Sequence, residues 1–226
     1  MSAREIVDGV FEIGLGYVHV HLVVVDDGVV LVDTGLPGRA AKVEQALHDV
    51  RRKVGEVRTI LLTHRHPDHV GGLADLRRRS GARVVAHAAD VPAITGARPV
   101  PATGILRVIA LVTKPPEVAP VDEELTADGP TSAPGFHAVH TPGHTAGHVS
   151  YLLDRAGGVL FVGDAAAGGR AGTVRRTPRM FGEDPARAAA SVARLAELDF
   201  EVAVFGHGRA VAGRAVDRFR ELAAVR

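Results

Sequence analysis

Thr63-His64-Arg65-His66-Pro67-Asp68-His69 packs three histidines and an aspartate directly behind the apolar stretch Ile60–Leu62. Such a run makes poor core, because buried imidazoles and carboxylates need polar partners. A solvated histidine patch is the bland alternative, but this run continues a strand-like apolar segment. In extended chain, residues two apart face the same way, so His64 and His66 can grip one cation together. Pro67 suits the first position of a helix. Asp68 and His69 then fall in or near the first helical turn, aimed at a neighbouring point. The local reading is two adjacent cation positions.

Three further stretches place polar residues where apolar strands end. Thr141-Pro142-Gly143-His144-Thr145-Ala146-Gly147-His148 puts His144 in a Gly/Pro turn. Phe161-Val162-Gly163-Asp164 ends in a lone carboxylate, and Phe205-Gly206-His207-Gly208 in another histidine loop. Layered folds gather their sites at such strand ends.

In this order, the run 63–69, the run 141–148, Gly163-Asp164 and Gly206-His207-Gly208 resemble the signature of the metallo-β-lactamase superfamily. Leu31-Val32-Asp33-Thr34-Gly35 is similar to the family's early strand and turn. The resemblance covers nearly the whole chain. It implies an α/β fold, a four-layer αββα sandwich with metals on the edge between two sheets. Carried over residue by residue, it implies His64, His66 and His144 on a first metal. Asp68, His69 and His207 are implied on a second, with Asp164 bridging both. Asp33 and His148 are implied to orient ligand imidazoles; a turn-forming Asp and a solvated loop histidine are their blander readings.

The resemblance further implies a metal-dependent hydrolase. A water bridging two cations drops its pKa from ~15.7 toward ~7 and attacks an ester, thioester or lactone-type carbonyl. Asp68 is the natural proton acceptor and the expected catalytic residue. The ligand set is similar to the glyoxalase II and lactonase branches. It departs from zinc β-lactamases with a cysteine ligand. Lactonases usually carry a tyrosine three residues after the bridging aspartate, where this chain has Ala167. The helical C-terminal region of glyoxalase II, which contacts glutathione, has little chain left to form it. The alternatives are a mononuclear Fe(II) persulfide dioxygenase using His64, His144 and Asp164, a β-lactam hydrolase, and a non-catalytic metal-binding module.

Composition narrows the chemistry. The chain has 226 residues and no cysteine. That excludes disulfides, thiolate nucleophiles, Fe–S clusters and Cys-ligated zinc. Two divalent ions would be held by imidazole and carboxylate, which suits Zn, with Fe or Mn as alternatives. A net charge of +1 gives no electrostatic reason to expect nucleic acid or an anionic membrane. The expected partner is a small-molecule substrate. The segment 1–9 carries Arg4, Glu5 and Asp8 without an apolar core, so no signal peptide and a cytoplasmic location are expected. No apolar run nears the ~18 residues that span a bilayer. The length and the absence of a linker suit one domain over 1–226.

Periodicity predicts strands at 7–13, 19–25, 29–33, 59–62, 83–86, 136–140, 149–153, 159–162 and 201–205. It predicts helices at 39–54, 70–79, 88–94, 184–198 (Asp184 as N-cap) and 211–225. Ile105–Val112 reads as buried core or a homodimer contact, ahead of a lid over the metals. His19 and His21 share one strand face as packed histidines or substrate contacts. His137 and His140 read as structural, and His48 and His87 as surface positions. Arg170, Arg175, Arg176 and Arg179 border the loop after Asp164, as solvated arginines or as readers of a substrate anion.

Overall fold

The computed structural model describes residues 3–98 and 115–225. The first sheet holds β1 (Arg4–Val7), β2 (Val10–Gly14), β3 (His19–Val25), β4 (Gly28–Val32), β5 (Val57–Leu61), β6 (Arg83–His87) and β7 (Glu123–Leu125), side by side in that order. Strands β1 to β4 are antiparallel neighbours, and β4 to β7 run parallel. Downstream come β8 (Gly129–Pro130), β9 (Phe136–His140), β10 (Val149–Leu153) and β11 (Val159–Phe161). A small ribbon, β12 (Ala167–Gly168) and β13 (Val174–Arg175), precedes β14 (Val202–Val204) and β15 (Val211–Ala212). The second sheet runs β15-β14-β11-β10-β9-β8, with β11 and β14 parallel.

The helices are α1 (Ala40–Asp49), α2 (Pro67–Val70), α3 (Leu73–Ser80), α4 (Val91–Ile94), α5 (Pro185–Leu195) and α6 (Ala215–Ala224). None of the described helices is long and apolar enough to cross a membrane.

The period-2 alternation of strands sorts side chains into layers. In β4, Val29 and Leu31 point to a core shared with α1, α3 and α4, whereas Val30 and Val32 face the other sheet. In β11, Val159 and Phe161 meet the first sheet, and Leu160 faces α5 and α6. Strands covered on both faces read as unbroken apolar runs. The result is the αββα sandwich.

Two contacts fasten the sheets where the histidine run begins. The fully buried Tyr151 of β10 donates its hydroxyl to the Leu62 carbonyl at 2.7 Å, and the Val149 N–H donates to the Thr63 carbonyl at 2.8 Å.

Several expectations are corrected. The strand predicted over 7–13 breaks at Asp8-Gly9, where Gly9 takes a positive φ, giving β1 and β2. The helix predicted over 70–79 breaks at Gly71-Gly72, where the chain packs so closely on the 34–37 turn that a Cβ on Gly71 would lie 2.2 Å from the Pro37 nitrogen. Val211 belongs to a strand, and the terminal helix starts at Ala215. His87 is buried, stacked on His140 with ring centroids 4.0 Å apart. The segment Ile105–Val112 lies outside the described residues.

Candidate metal centre

Because β4 and β5 are parallel, as are β11 and β14, their carboxyl ends share one edge of the sandwich. Asp33 follows β4, the run 63–69 follows β5, Asp164 follows β11 and His207 follows β14. Strand β9 points the same way, which brings His144 to that edge.

Three overlapping groups form there: His64, His66 and His144; His64, His69 and Asp164; Asp68, His69 and His207. Within each, one ligand atom per residue lies within 4.8 Å of the others. His66 Nδ1 sits 3.1 Å from His64 Nε2 and 2.9 Å from His144 Nε2. The Asp164 carboxylate stands between the first and last groups. Its Oδ2 is 3.3 Å from both His144 Nε2 and His207 Nε2, and its Oδ1 is 3.5 Å from His69 Nε2. Asp68 Oδ2 is 3.5 Å from His207 Nε2. All seven predicted ligand residues are therefore neighbours.

The residues fit divalent cations. Burial, reinforced by the crowding of other imidazoles and opposed at His144 by Asp164, pushes His64 and His144 well below the ordinary histidine range, so both rings are neutral. Burial lowers His66 as well. Neutral rings crowding their nitrogens to about 3 Å lack the protons to bond one another all round. Around a tetrahedral ion at ~2.0–2.1 Å, ligand nitrogens sit ~3.3 Å apart, close to this spacing. His69 Nε2 and Asp164 Oδ1 are buried without a hydrogen-bond partner. Burial alone would depress His69, yet Asp164, Asp33 and Asp68 together push it up to about 10. Burial opposes ionisation of Asp164, but His69, His144 and His207 hold it far below the usual carboxylate range. This pocket asks for positive charge, which a divalent ion would supply in place of protons.

The tautomers follow from the hydrogen bonds. Asp33 adopts a left-handed φ of 63° at the end of β4. It accepts from the Thr63 N–H at 2.8 Å, the Thr63 hydroxyl at 2.7 Å and His69 Nδ1 at 2.8 Å. His69 thus carries its proton on Nδ1 and turns Nε2 inward. Having given its proton to Asp33, the Thr63 hydroxyl accepts from His64 Nδ1 at 3.0 Å, which frees His64 Nε2. His207 Nδ1 donates to the Tyr17 carbonyl at 2.8 Å, freeing its Nε2 too. One carboxylate therefore sets a ring in each outer group.

His148 does something different. Its Nε2 accepts from the Asp164 main-chain N–H at 2.9 Å, and its Nδ1 donates to Thr141 at 2.8 Å. It fixes the main chain of Asp164 rather than one of the clustered imidazoles. Burial pushes its pKa down to about 4. Gly206 is needed for space, since a Cβ there would lie 2.4 Å from Asp164 Oδ1.

His19 and His21 stay outside the cluster. They face Glu12 at 3.9 and 4.0 Å. His48 and His137 are exposed. Of the arginines after Asp164, Arg176 and Arg179 line a cavity beside the cluster, and Arg176 also donates to the Val225 carbonyl at 2.6 Å, beyond α6.

Sequence reasoning missed two features. Tyr17 is 63% exposed and stacks on the His207 ring, with centroids 5.7 Å apart. Its signal is a lone aromatic in the glycine-bearing turn Gly14-Leu15-Gly16-Tyr17. The second is a cavity of about 480 Å³ beside the cluster, lined by His144, Asp164, Ala165, Arg179, Ala189 and Val192.

Comparison with known proteins agrees with this geometry. The family model of the metallo-beta-lactamase superfamily matches residues 13–207. The probable metallo-hydrolase YflN of Bacillus subtilis is 29% identical over 214 residues, covering 82% of this chain and 77% of that protein. A hydroxyacylglutathione hydrolase of Acidiphilium cryptum is 34% identical over 167 residues, covering 72% of this chain and 55% of that protein. The chain thus spans about half the length of the latter relative. The solved subclass B3 metallo-beta-lactamase BJP-1 of Bradyrhizobium japonicum shares the fold, with a TM-score of 0.71 at 21% identity over 92% of this chain and 78% of that one. By its matched family model, its sheet order and the convergence of its histidines, the chain belongs to the metallo-beta-lactamase superfamily.

Proposed function

We propose that this metal-dependent hydrolase cleaves an ester, thioester or lactone-type carbonyl at a dinuclear centre. His64, His66 and His144 would hold one divalent ion, Asp68, His69 and His207 the other, and Asp164 would bridge them. The observation that carries this reading is the Asp164 carboxylate, set between two groups of imidazoles with its Oδ1 buried and unpartnered. Cations held there would supply an acidified water and positive charge opposite the developing oxyanion. The absence of cysteine leaves zinc, iron or manganese compatible with the donor set.

The rest is done by the chain. Asp33 and Thr63 keep lone pairs of His69 and His64 turned inward. Asp68 is half-buried beside His207. There it takes a proton from the attacking water and returns it to the leaving oxygen or sulfur. The cavity beside His144 and Asp164 receives the acyl part of a small-molecule substrate. Its lining is mostly small apolar residues, with Arg176 and Arg179 beside them. The relatives named hydroxyacylglutathione hydrolase support a thioester. Both sheets contribute ligands, so residues 1–226 act as one domain in this reading.

The zinc-loaded protein, assayed against esters, thioesters, lactones and nitrocefin, should turn over a carbonyl ester or thioester. Its activity should disappear on chelation and return with zinc. No hydrolysis of any of these, or one iron per chain with oxygen uptake on glutathione persulfide, would overturn the proposal.

A further inference from the structure

Asp90 stands at the N-cap position of α4, yet its side chain caps nothing there. It is 1% exposed, and both carboxylate oxygens are spent elsewhere. Oδ2 accepts from the Arg65 main-chain N–H at 3.0 Å and from the Thr145 hydroxyl at 2.7 Å. Oδ1 accepts from Arg65 Nη1 at 3.0 Å and from the Gly147 N–H at 3.1 Å. All four donors lie in the two loops that carry the three-histidine group. Arg65 sits between His64 and His66, and Thr145 follows His144. Packing is tight, since a Cβ on Gly147 would lie 2.7 Å from Asp90 Cγ. The other arm of Arg65 pairs with Glu183, whose N–H donates to the Gly143 carbonyl at 2.9 Å. Buried charge is costly unless paired and hydrogen-bonded, and here one carboxylate holds both histidine loops, with two contacts to each.

We propose that Asp90 is a positioning residue for the three-histidine group, tying the 64–66 loop to the 144–147 loop so that the rings of His64, His66 and His144 converge before a cation arrives. It touches neither cation nor substrate. The inference rests on the metal-binding reading above. Its consequence is specific: the Asp68, His69 and His207 group has no bond to Asp90 and does not depend on it.

The test is zinc affinity, read by competition with a chromophoric chelator. A His207→Ala background isolates the three-histidine group, and a His66→Ala background isolates the other. In Asp90→Asn, either orientation of the amide turns its NH2 toward a main-chain N–H. Affinity of the three-histidine group should then fall ~10–100-fold, as for other partners of ligand loops. The other group should keep its affinity. Thr145→Val removes one contact to Asp90 and should weaken the same group, whereas Thr145→Ser keeps the hydroxyl and should restore it. If Asp90→Asn fails to fold, the Thr145 pair decides. Wild-type affinity in both Asp90→Asn and Thr145→Val, equal losses in both groups, or Thr145→Ser as weak as Thr145→Val overturns the positioning role. Wild-type protein that binds no zinc overturns the metal-binding reading itself, a separate failure.

Discussion

Asp33→Asn tests how the centre is organised. Asparagine tolerates the left-handed φ of 63° at this position, so the backbone is spared and only charge and hydrogen bonding change. The carboxylate accepts three bonds of 2.7–2.8 Å while 3% exposed. An amide accepts through one oxygen alone. If that oxygen keeps the Thr63 N–H, the NH2 faces His69 Nδ1, which must surrender its proton to Nε2. The ring then presents N–H where a lone pair is needed. If the amide is turned over, its NH2 opposes the Thr63 N–H in a buried site. Either way at least one buried group loses its partner, costing about 1–3 kcal/mol. Urea unfolding of metal-free protein should show that loss. Chelator competition should show affinity of the Asp68, His69 and His207 group falling ~10–100-fold. A variant that binds two zinc ions with wild-type affinity would refute the claim that Asp33 sets the His69 tautomer.

Other outcomes follow from the same geometry. Asp68→Asn should cut turnover ~100-fold or more while the three-histidine group keeps its metal, measured by kinetics alongside metal analysis; wild-type turnover removes Asp68 from proton transfer. Tyr151→Phe breaks the 2.7 Å bond to the Leu62 carbonyl and should cost about 1–2 kcal/mol in urea unfolding, and no loss contradicts the fastening role. His21 is fully buried, and burial, with His19, His69 and Arg4 adding to it, pushes its pKa down to about 3. Between that value and about 6.5 the unfolded chain binds a proton that the folded one refuses, so stability falls as pH falls. From pH 7 to pH 5 the loss is about 2 kcal/mol, and His21→Leu should remove it in metal-free protein. An equal decrement in both proteins contradicts the assignment.

The centre was legible because its chemistry restricts residue choice. Only imidazoles and carboxylates suit these cations in a chain without cysteine, and each follows an apolar run that marks a strand. Asp33 was legible through its place after Leu31-Val32. The Asp90 clamp was not, because Asp90 falls inside the helix predicted over 88–94 and its four donors are distant in sequence. The helix break at Gly71-Gly72 was missed because its cause is tertiary. The close approach of Pro37 to Gly71 leaves no trace in the helical period of 70–79. Strands of two or three residues, such as β7, β8 and β15, are too short to show alternation. His87 looked like a surface residue because its partner, His140, belongs to the other sheet.

Metal content bears most directly on the whole account. Metal-free protein is titrated with zinc, and the bound ions are counted by native mass spectrometry, beside a His66→Ala variant. The account predicts two zinc ions per wild-type chain and loss of at least one in the variant. A wild-type chain that takes up none, or a variant that binds both as tightly as the wild type, contradicts it.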